Sequence, residues 1–191
     1  MIDVAFVLDS SSKSQGQAAW SQMLSFVNLV IDRLKISQYA MRVAFVNYGD
    51  TANVEFSFST YNDRESTKQR ILSIHYLGTG GSNLAAALDA LRNQVFLTSA
   101  GARSLAPWVA VIVTDRSPTI RTQDTVSTAS QLRADGIQII PVGVFLSGQL
   151  NNILNQIAFE QTRVTTVNSY SQLTGVAEQV ANWICSSYLS E

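Results

Sequence analysis

The residues best suited to chemistry stand at the end of the first apolar run of the chain. Asp9 follows the apolar residues 4–8, and the sequence then continues with three serines, Lys13 and a fourth serine, as DSSSKS. Carboxylate and hydroxyl oxygens are the ligands that hard cations such as Mg²⁺, Mn²⁺ and Ca²⁺ prefer. A lysine ammonium cannot ligate a cation. The segment therefore predicts either an oxygen-only cation site or a site in which Lys13 replaces the metal charge.

Two later segments carry oxygen ligands of the same kind. Ser82 lies in a GGSN loop before a predicted helix, and Asp115 follows the apolar run 107–114. In doubly wound sheets, ligands bind beyond the carboxyl ends of the strands, at the point where the strand order reverses. We therefore expect Asp9, Ser82 and Asp115 to meet at one edge of a sheet.

The elements that must position these loops alternate between strand and helix patterns. Continuous apolar runs predict buried strands at 4–8, 42–48, 107–114 and 137–144, with a short strand near 163–167. Segments whose apolar residues recur at helical spacing separate these strands. Residues 53–58 alternate polar and apolar side chains, which is typical of a half-exposed edge strand in a hairpin. The pattern predicts an α/β fold of one domain over residues 1–191, a doubly wound, Rossmann-like three-layer sandwich.

Composition and motifs argue against several classes of function. A net charge of −1 without a basic block argues against nucleic acid as a partner, and no apolar stretch has the ~20 residues of a membrane span. The glycine loop at 78–83 does not follow the first strand, so it is a poor dinucleotide fingerprint. No G-x-S-x-G motif occurs, and the single histidine, His75, is interpreted as structural. Cys185, also single, is either a buried hydrophobe or half of a disulfide.

Five segments, taken together and in order, resemble the von Willebrand factor type A domain. They are DVAFVLDSSS, RVAFVNYGDTANVEF, GGSNLAAALDAL, WVAVIVTDRSP and GIQIIPVGV, and the resemblance covers nearly the whole chain. Among these domains the chain is most similar to those of type VI collagen and the matrilins. The resemblance implies a mostly parallel central sheet with one antiparallel edge strand. It also implies a non-enzymatic binding module of a secreted extracellular matrix protein.

The family carries a metal-ion-dependent adhesion site, and the resemblance carries its ligands onto this sequence. Lys13 stands where the family's first loop has its second serine, but one extra residue in the loop would put Ser14 there and turn Lys13 outward. Ser82 stands where threonine is usual. The implied cofactor is Mg²⁺, or Mn²⁺ or Ca²⁺. The implied metal ligands are Asp9, Ser11, Ser14, Ser82 and Asp115.

The resemblance leaves three functions open. The first is adhesion to collagen or another matrix protein, in which an acidic side chain of the partner completes the cation site. The second is a structural role in which the metal site is degenerate and the domain packs against neighbouring A domains. The third is an intracellular subunit of an ATPase or chaperone complex. Residues 116–121 contain two arginines and are expected to add positive charge around the site.

Overall fold

A computed structural model describes residues 1–12, 16–145 and 147–187, and these residues contain a six-stranded sheet. Its order is β3-β2-β1-β4-β5-β6, and every neighbouring pair is parallel except β2 and β3. The sheet therefore has one antiparallel edge strand, as predicted. The strands are β1 (Ile2–Asp9), β2 (Met41–Tyr48), β3 (Ala52–Phe56), β4 (Trp108–Thr114), β5 (Ile137–Val144) and β6 (Thr165–Val167).

Helices cover both faces of the sheet. Several begin at a side-chain cap: Asp63 accepts a hydrogen bond from the backbone N–H of Ser66, and Asn83 from that of Ala86. Such caps satisfy N–H groups that the first helical turn leaves without a partner. The α-helices are α1 (Gly16–Asp32), α2 (Arg64–Leu72), α3 (Leu84–Ala90), α4 (Thr125–Ala134), α5 (Gly148–Ile157) and α6 (Leu173–Ser186).

The central strands are apolar throughout because both of their faces are buried. Along β1, Phe6 packs in the core beneath α1 and α6, whereas its neighbour Val7 packs in the core beneath α3, α4 and α5. No helix in the described part of the chain is long and apolar enough to cross a membrane.

Two expectations need correction. The edge strand ends at Phe56 instead of residue 58, because the chain turns there and buries Phe58 against Phe96, with ring centroids 5.3 Å apart. Cys185 is exposed on α6 and free, so the interpretation of this residue as a buried hydrophobe is wrong. The helical spacing of α6 places Leu173, Ala177 and Ile184 in the core and leaves Cys185 outside it.

The strand order places a crevice between β1 and β4. The chain leaves β1 for β2 on one side of the sheet, whereas it leaves β4 for β5 on the other. Because the connections diverge, the carboxyl ends of these two neighbouring strands form the switch point where ligands bind in such folds. Asp9 is the last residue of β1, and Asp115 comes directly after β4.

Candidate functional site

Asp9 is the centre of a hydrogen-bonded cluster at this crevice. Its carboxylate is 3% exposed, and Oδ1 accepts a hydrogen bond of 2.9 Å from the backbone N–H of Ser11. Oδ2 accepts from two hydroxyls, Ser82 Oγ at 2.8 Å and Thr114 Oγ1 at 3.0 Å. The structure therefore brings together the end of β1, the loop before α3 and the end of β4.

Asp115 lies beside this cluster, and one of its oxygens accepts no hydrogen bond from the described residues. The Tyr170 hydroxyl, from the loop before α6, donates a hydrogen bond of 2.6 Å to Asp115 Oδ2. Within residues 1–12, 16–145 and 147–187, no hydrogen-bond donor contacts the buried Asp115 Oδ1, and the buried hydroxyl of Ser11 has no hydrogen-bond partner. Most buried polar atoms in proteins are hydrogen-bonded. These two oxygens therefore have hydrogen-bonding capacity that the described residues leave unused.

Backbone hydrogen bonds fix the loop that carries Ser82. Gly78 N–H donates to Ser10 O at 2.8 Å, and Gly80 N–H donates to Ser11 O at 2.9 Å. Both glycines have positive φ, 59° for Gly78 and 95° for Gly80, which side chains with a Cβ rarely adopt. The glycines thus let the loop approach the DSSS segment closely enough to place the Ser82 hydroxyl on Asp9.

The cluster carries negative charge that its own hydrogen bonds do not cancel. Burial raises the pKa of Asp9, the nearby hydroxyl and the backbone N–H of Ser11 lower it, the carboxylate of Asp115 raises it, and the hydroxyl of Ser82 lowers it. Burial, the hydrogen bond to Asp115 and the charge of that carboxylate also raise the pKa of Tyr170. Tyr170 therefore stays protonated and donates, and a positive group beside the two carboxylates would relieve their repulsion.

Of the two arginines in residues 116–121, Arg116 adds positive charge at the site, as expected, whereas Arg121 does not. Arg121 is half-exposed and forms ion pairs with Asp89 at 2.7 Å and Asp124 at 2.8 Å, so its charge is balanced locally. Arg116 turns toward the site: its Nε lies 3.6 Å from Asp115 Oδ1, and its Nη1 donates to Gly80 O at 3.2 Å. Positive charge is therefore concentrated at Asp115 instead of being spread along the rim.

The donor set fits a hard divalent cation. In the described part of the chain no group of three His, Cys, Asp or Glu side chains could hold a metal ion. The oxygens at the crevice are two carboxylates and several hydroxyls, which is the chemistry that Mg²⁺, Mn²⁺ and Ca²⁺ prefer. The unpartnered oxygens of Ser11 and Asp115 agree with this fit. Ser14, the remaining predicted ligand, and Lys13 lie outside the described residues.

Three residues of the site were not found by sequence reasoning. Thr114 directly precedes Asp115, and the apolar run predicts only that it lies in a strand. Tyr48 ends β2, is fully buried, and has a pKa raised by burial and by the charge of Asp9. Tyr170 is 55 residues from Asp115 along the chain, and Phe145 packs edge-on against its ring at a centroid distance of 5.2 Å. Of these residues, only Thr114 had a signal in the sequence, namely its place at a strand end.

Comparisons with known proteins agree with this architecture. A family model for the von Willebrand factor type A domain matches residues 3–179. Matrilin-3 of Mus musculus is 38% identical over 147 residues, which cover 75% of this chain and 29% of the relative. The collagen alpha-5(VI) chain of Homo sapiens is 29% identical over 184 residues, which cover 96% of this chain and 7% of the relative.

A solved structure shares the fold and has an occupied metal-ion-dependent adhesion site (MIDAS) of its own. Proximal thread matrix protein 1 from the mussel byssus, with a zinc-occupied MIDAS motif, matches with a TM-score of 0.87 at 25% identity. The match covers 96% of this chain and 46% of that chain.

The resemblance that the sequence suggested is confirmed. The chain spans less than a third of the length of matrilin-3 and a smaller share of the collagen chain, so these similarities concern one domain of longer proteins. The strand order, the antiparallel edge strand and the oxygen-lined crevice agree with the family match over residues 3–179. The chain therefore belongs to the von Willebrand factor type A domain family.

Proposed function

We propose that residues 1–191 form a single, non-enzymatic adhesion domain of a secreted extracellular matrix protein. Its partner would be collagen or another matrix protein, bound at the crevice between β1 and β4. The similarity to matrilin-3 and to a type VI collagen chain supports the matrix location. The observation that carries the proposal is the pair of buried oxygens, Ser11 Oγ and Asp115 Oδ1, for which the described part of the chain supplies no hydrogen-bond partner.

The cofactor would be Mg²⁺, or Mn²⁺ or Ca²⁺. A bound cation would supply an open coordination position that attracts an acidic side chain of the partner. The residues that would hold it are Asp9, Ser11, Ser14, Ser82 and Asp115.

The protein's part in this chemistry is to fix its ligands in advance. Three donors orient the carboxylate of Asp9, and Tyr170 orients that of Asp115, so neither has to rotate into place. The hydroxyl oxygens of Ser11 and Ser82 would be uncharged ligands of the cation. A site built partly from neutral oxygens leaves more of a divalent charge available for the partner's carboxylate than an all-carboxylate site would.

A structural role is the second candidate, and it rests on the opposite edge of the sheet. Tyr39 is 80% exposed and Leu105 is 88% exposed, although both are large and apolar. Arg103 connects their loops, because its guanidinium donates to the backbone oxygens of Gln38 and Ala40. Exposed apolar side chains on neighbouring loops favour contact with another protein, and a neighbouring A domain would be the partner.

Calorimetric titration of Mg²⁺ and Mn²⁺ into the chelator-treated domain tests the proposal, followed by binding to immobilised collagens with cation or with chelator. We expect cation binding in the millimolar range or tighter and collagen binding that the chelator abolishes. Asp9→Asn should lower the cation affinity by at least about tenfold, because it removes a buried charge beside the ion. Asp89→Asn is the matched control, because its carboxylate pairs with Arg121 at the surface.

Two results would contradict the adhesion mechanism. One is the absence of cation binding in the natural domain. The other is collagen binding that persists in chelator and is unaffected by Asp9→Asn. If Tyr39→Ser and Leu105→Ser then abolish association with a neighbouring A domain, the structural role replaces the proposed one.

A further inference from the structure

We propose that Arg116 is an internal counter-ion for Asp115, and that a divalent cation entering the site binds against its charge. The pairing stands on the structure alone, whereas the effect on cation binding rests on the proposed function. Arg116 would make the stability of the site less dependent on a bound cation. It would also lower the affinity of the site for a cation.

The position of the guanidinium supports a role at the site instead of at the surface. Arg116 Nη1 donates to Gly80 O at 3.2 Å, so the side chain reaches from the loop after β4 to the loop before α3. Its Nε lies 3.6 Å from Asp115 Oδ1, the oxygen that accepts no hydrogen bond. Only 29% of the Arg116 side chain is exposed. The positive charge is therefore held over the oxygen that a cation would use.

The contact is an ion pair without a hydrogen bond. A distance of 3.6 Å is too long for one, and Arg116 Nε, like Asp115 Oδ1, is buried without a hydrogen-bond partner among the residues that the structure describes. Arg103 contrasts with it, because its guanidinium nitrogens donate to Asp3 Oδ1 at 2.5 and 2.9 Å. Arg116 thus balances charge without saturating the oxygen, which leaves Asp115 Oδ1 able to accept another positive group.

The charge of Arg116 is permanent and close to the cation position. A guanidinium remains protonated at all ordinary pH values. A cation bound to Asp115 Oδ1 would lie within several ångströms of it, where like charges repel measurably even in a high dielectric. Arg121, the other arginine of this loop, is already balanced by Asp89 and Asp124. Arg116 is therefore the arginine whose removal should change the field at the site.

Thermal unfolding in chelator tests the pairing, with Arg116→Gln, Asp115→Asn and the double variant. Arg116→Gln should lower the Tm by about 2–4 °C, the size expected for about 1 kcal/mol in a domain of this length. In the Asp115→Asn background the same change should have almost no effect, because the charge that Arg116 balances is gone. Equal losses in the two backgrounds would overturn the pairing.

Calorimetric titration of Mn²⁺ tests the second part of the proposal. Arg116→Gln should bind Mn²⁺ about tenfold more tightly than the natural domain, because it removes a repelling charge. Arg116→Lys keeps the charge and should bind Mn²⁺ like the natural domain. Lys13→Ser measures the effect on Mn²⁺ affinity of the other basic residue that the sequence places near the site. Unchanged or weaker binding by Arg116→Gln would overturn it. If no variant binds Mn²⁺, the adhesion proposal fails, while the unfolding cycle still decides the pairing.

Discussion

Strand β1 carries a buried aspartate near each end, and the two carboxylates are satisfied in different ways. Asp3, at the amino end of the strand, is fully buried and is bound by a single residue. Its Oδ1 accepts from Arg103 Nε at 2.9 Å and Nη2 at 2.5 Å, and its Oδ2 accepts from the Arg103 backbone N–H at 2.6 Å. Both oxygens accept hydrogen bonds, and the guanidinium of Arg103 cancels the charge of the carboxylate through two hydrogen bonds to Oδ1.

Asp9, at the carboxyl end, is held by neutral donors and has a second carboxylate for a neighbour. Its partners are a backbone N–H and two hydroxyls, none of which carries a full positive charge. Beside it, Asp115 keeps one oxygen without a hydrogen bond. Burial alone therefore does not mark a functional carboxylate, because Asp3 is as buried as Asp9. The mark of the site is hydrogen-bonding capacity that the described residues leave unused, at Asp115 Oδ1 and Ser11 Oγ.

The largest effect should come from removing the counter-ion of Asp3 at the amino end of β1. Arg103→Ala leaves the Asp3 carboxylate buried without a counter-ion and should lower the free energy of unfolding by about 3–5 kcal/mol. Urea unfolding followed by circular dichroism measures the loss. The cation affinity of the folded variant should match that of the natural domain, because Asp3 and Asp9 lie at opposite ends of β1.

Arg92→Ala is the control for this change. Arg92 pairs with Asp135 at 2.6 Å, but both side chains are about 40% exposed, so its removal should destabilise the domain far less than Arg103→Ala does. If Arg103→Ala were no more destabilising than Arg92→Ala, Asp3 would not depend on its counter-ion. The contrast between the two ends of β1 would then be wrong.

Much of the sheet edge at the carboxyl end of β1 could be predicted from local patterns. The edge at the amino end of β1 could not. The apolar runs identified the parallel strands, and the rule for strand ends brought Asp9, Ser82 and Asp115 to one crevice. Asp3 and Arg103 are separated by 100 residues and stand in no recognisable motif. Their pairing depends on how the loop before β4 folds back under β1, and no periodicity in the sequence encodes that path.

The same limit explains what was missed near the site. Tyr170 reaches Asp115 from the loop before α6, and the direction of its side chain depends on packing against Phe145. Phe145 itself has a φ of 57°, which its residue type does not predict. Arg116 was expected at the rim, and only the loop geometry shows that it points toward Asp115. Residue types indicated which atoms could bind a cation, whereas tertiary packing determines which of them remain without partners.

A smaller effect should follow from loosening the hold on Asp115. Tyr170→Phe removes the hydroxyl that donates to Asp115 Oδ2 and should lower the free energy of unfolding in chelator by about 1.5–3 kcal/mol, as for other hydrogen bonds to charged groups. Urea unfolding with and without Mn²⁺ measures it. We expect Mn²⁺ to recover part of the loss, because a cation also restrains this carboxylate. Tyr39→Phe, at a hydroxyl on an 80% exposed side chain, is the control. A loss equal to that of the control would mean that Tyr170 does not hold Asp115.

The smallest of these effects, and the most specific to the cation site, concerns Ser82. Its hydroxyl hydrogen is donated to Asp9 Oδ2, which leaves the oxygen lone pairs available to a cation. Ser82→Ala should therefore weaken Mn²⁺ binding by about tenfold, or about 1.4 kcal/mol, whereas Ser82→Thr keeps the hydroxyl and should retain binding, as titration calorimetry would show. If both variants bound Mn²⁺ like the natural domain, the hydroxyl would serve only to satisfy Asp9. The carboxyl end of β1 would then be a second structural cluster, like its amino end, and any cation site would have to use other oxygens.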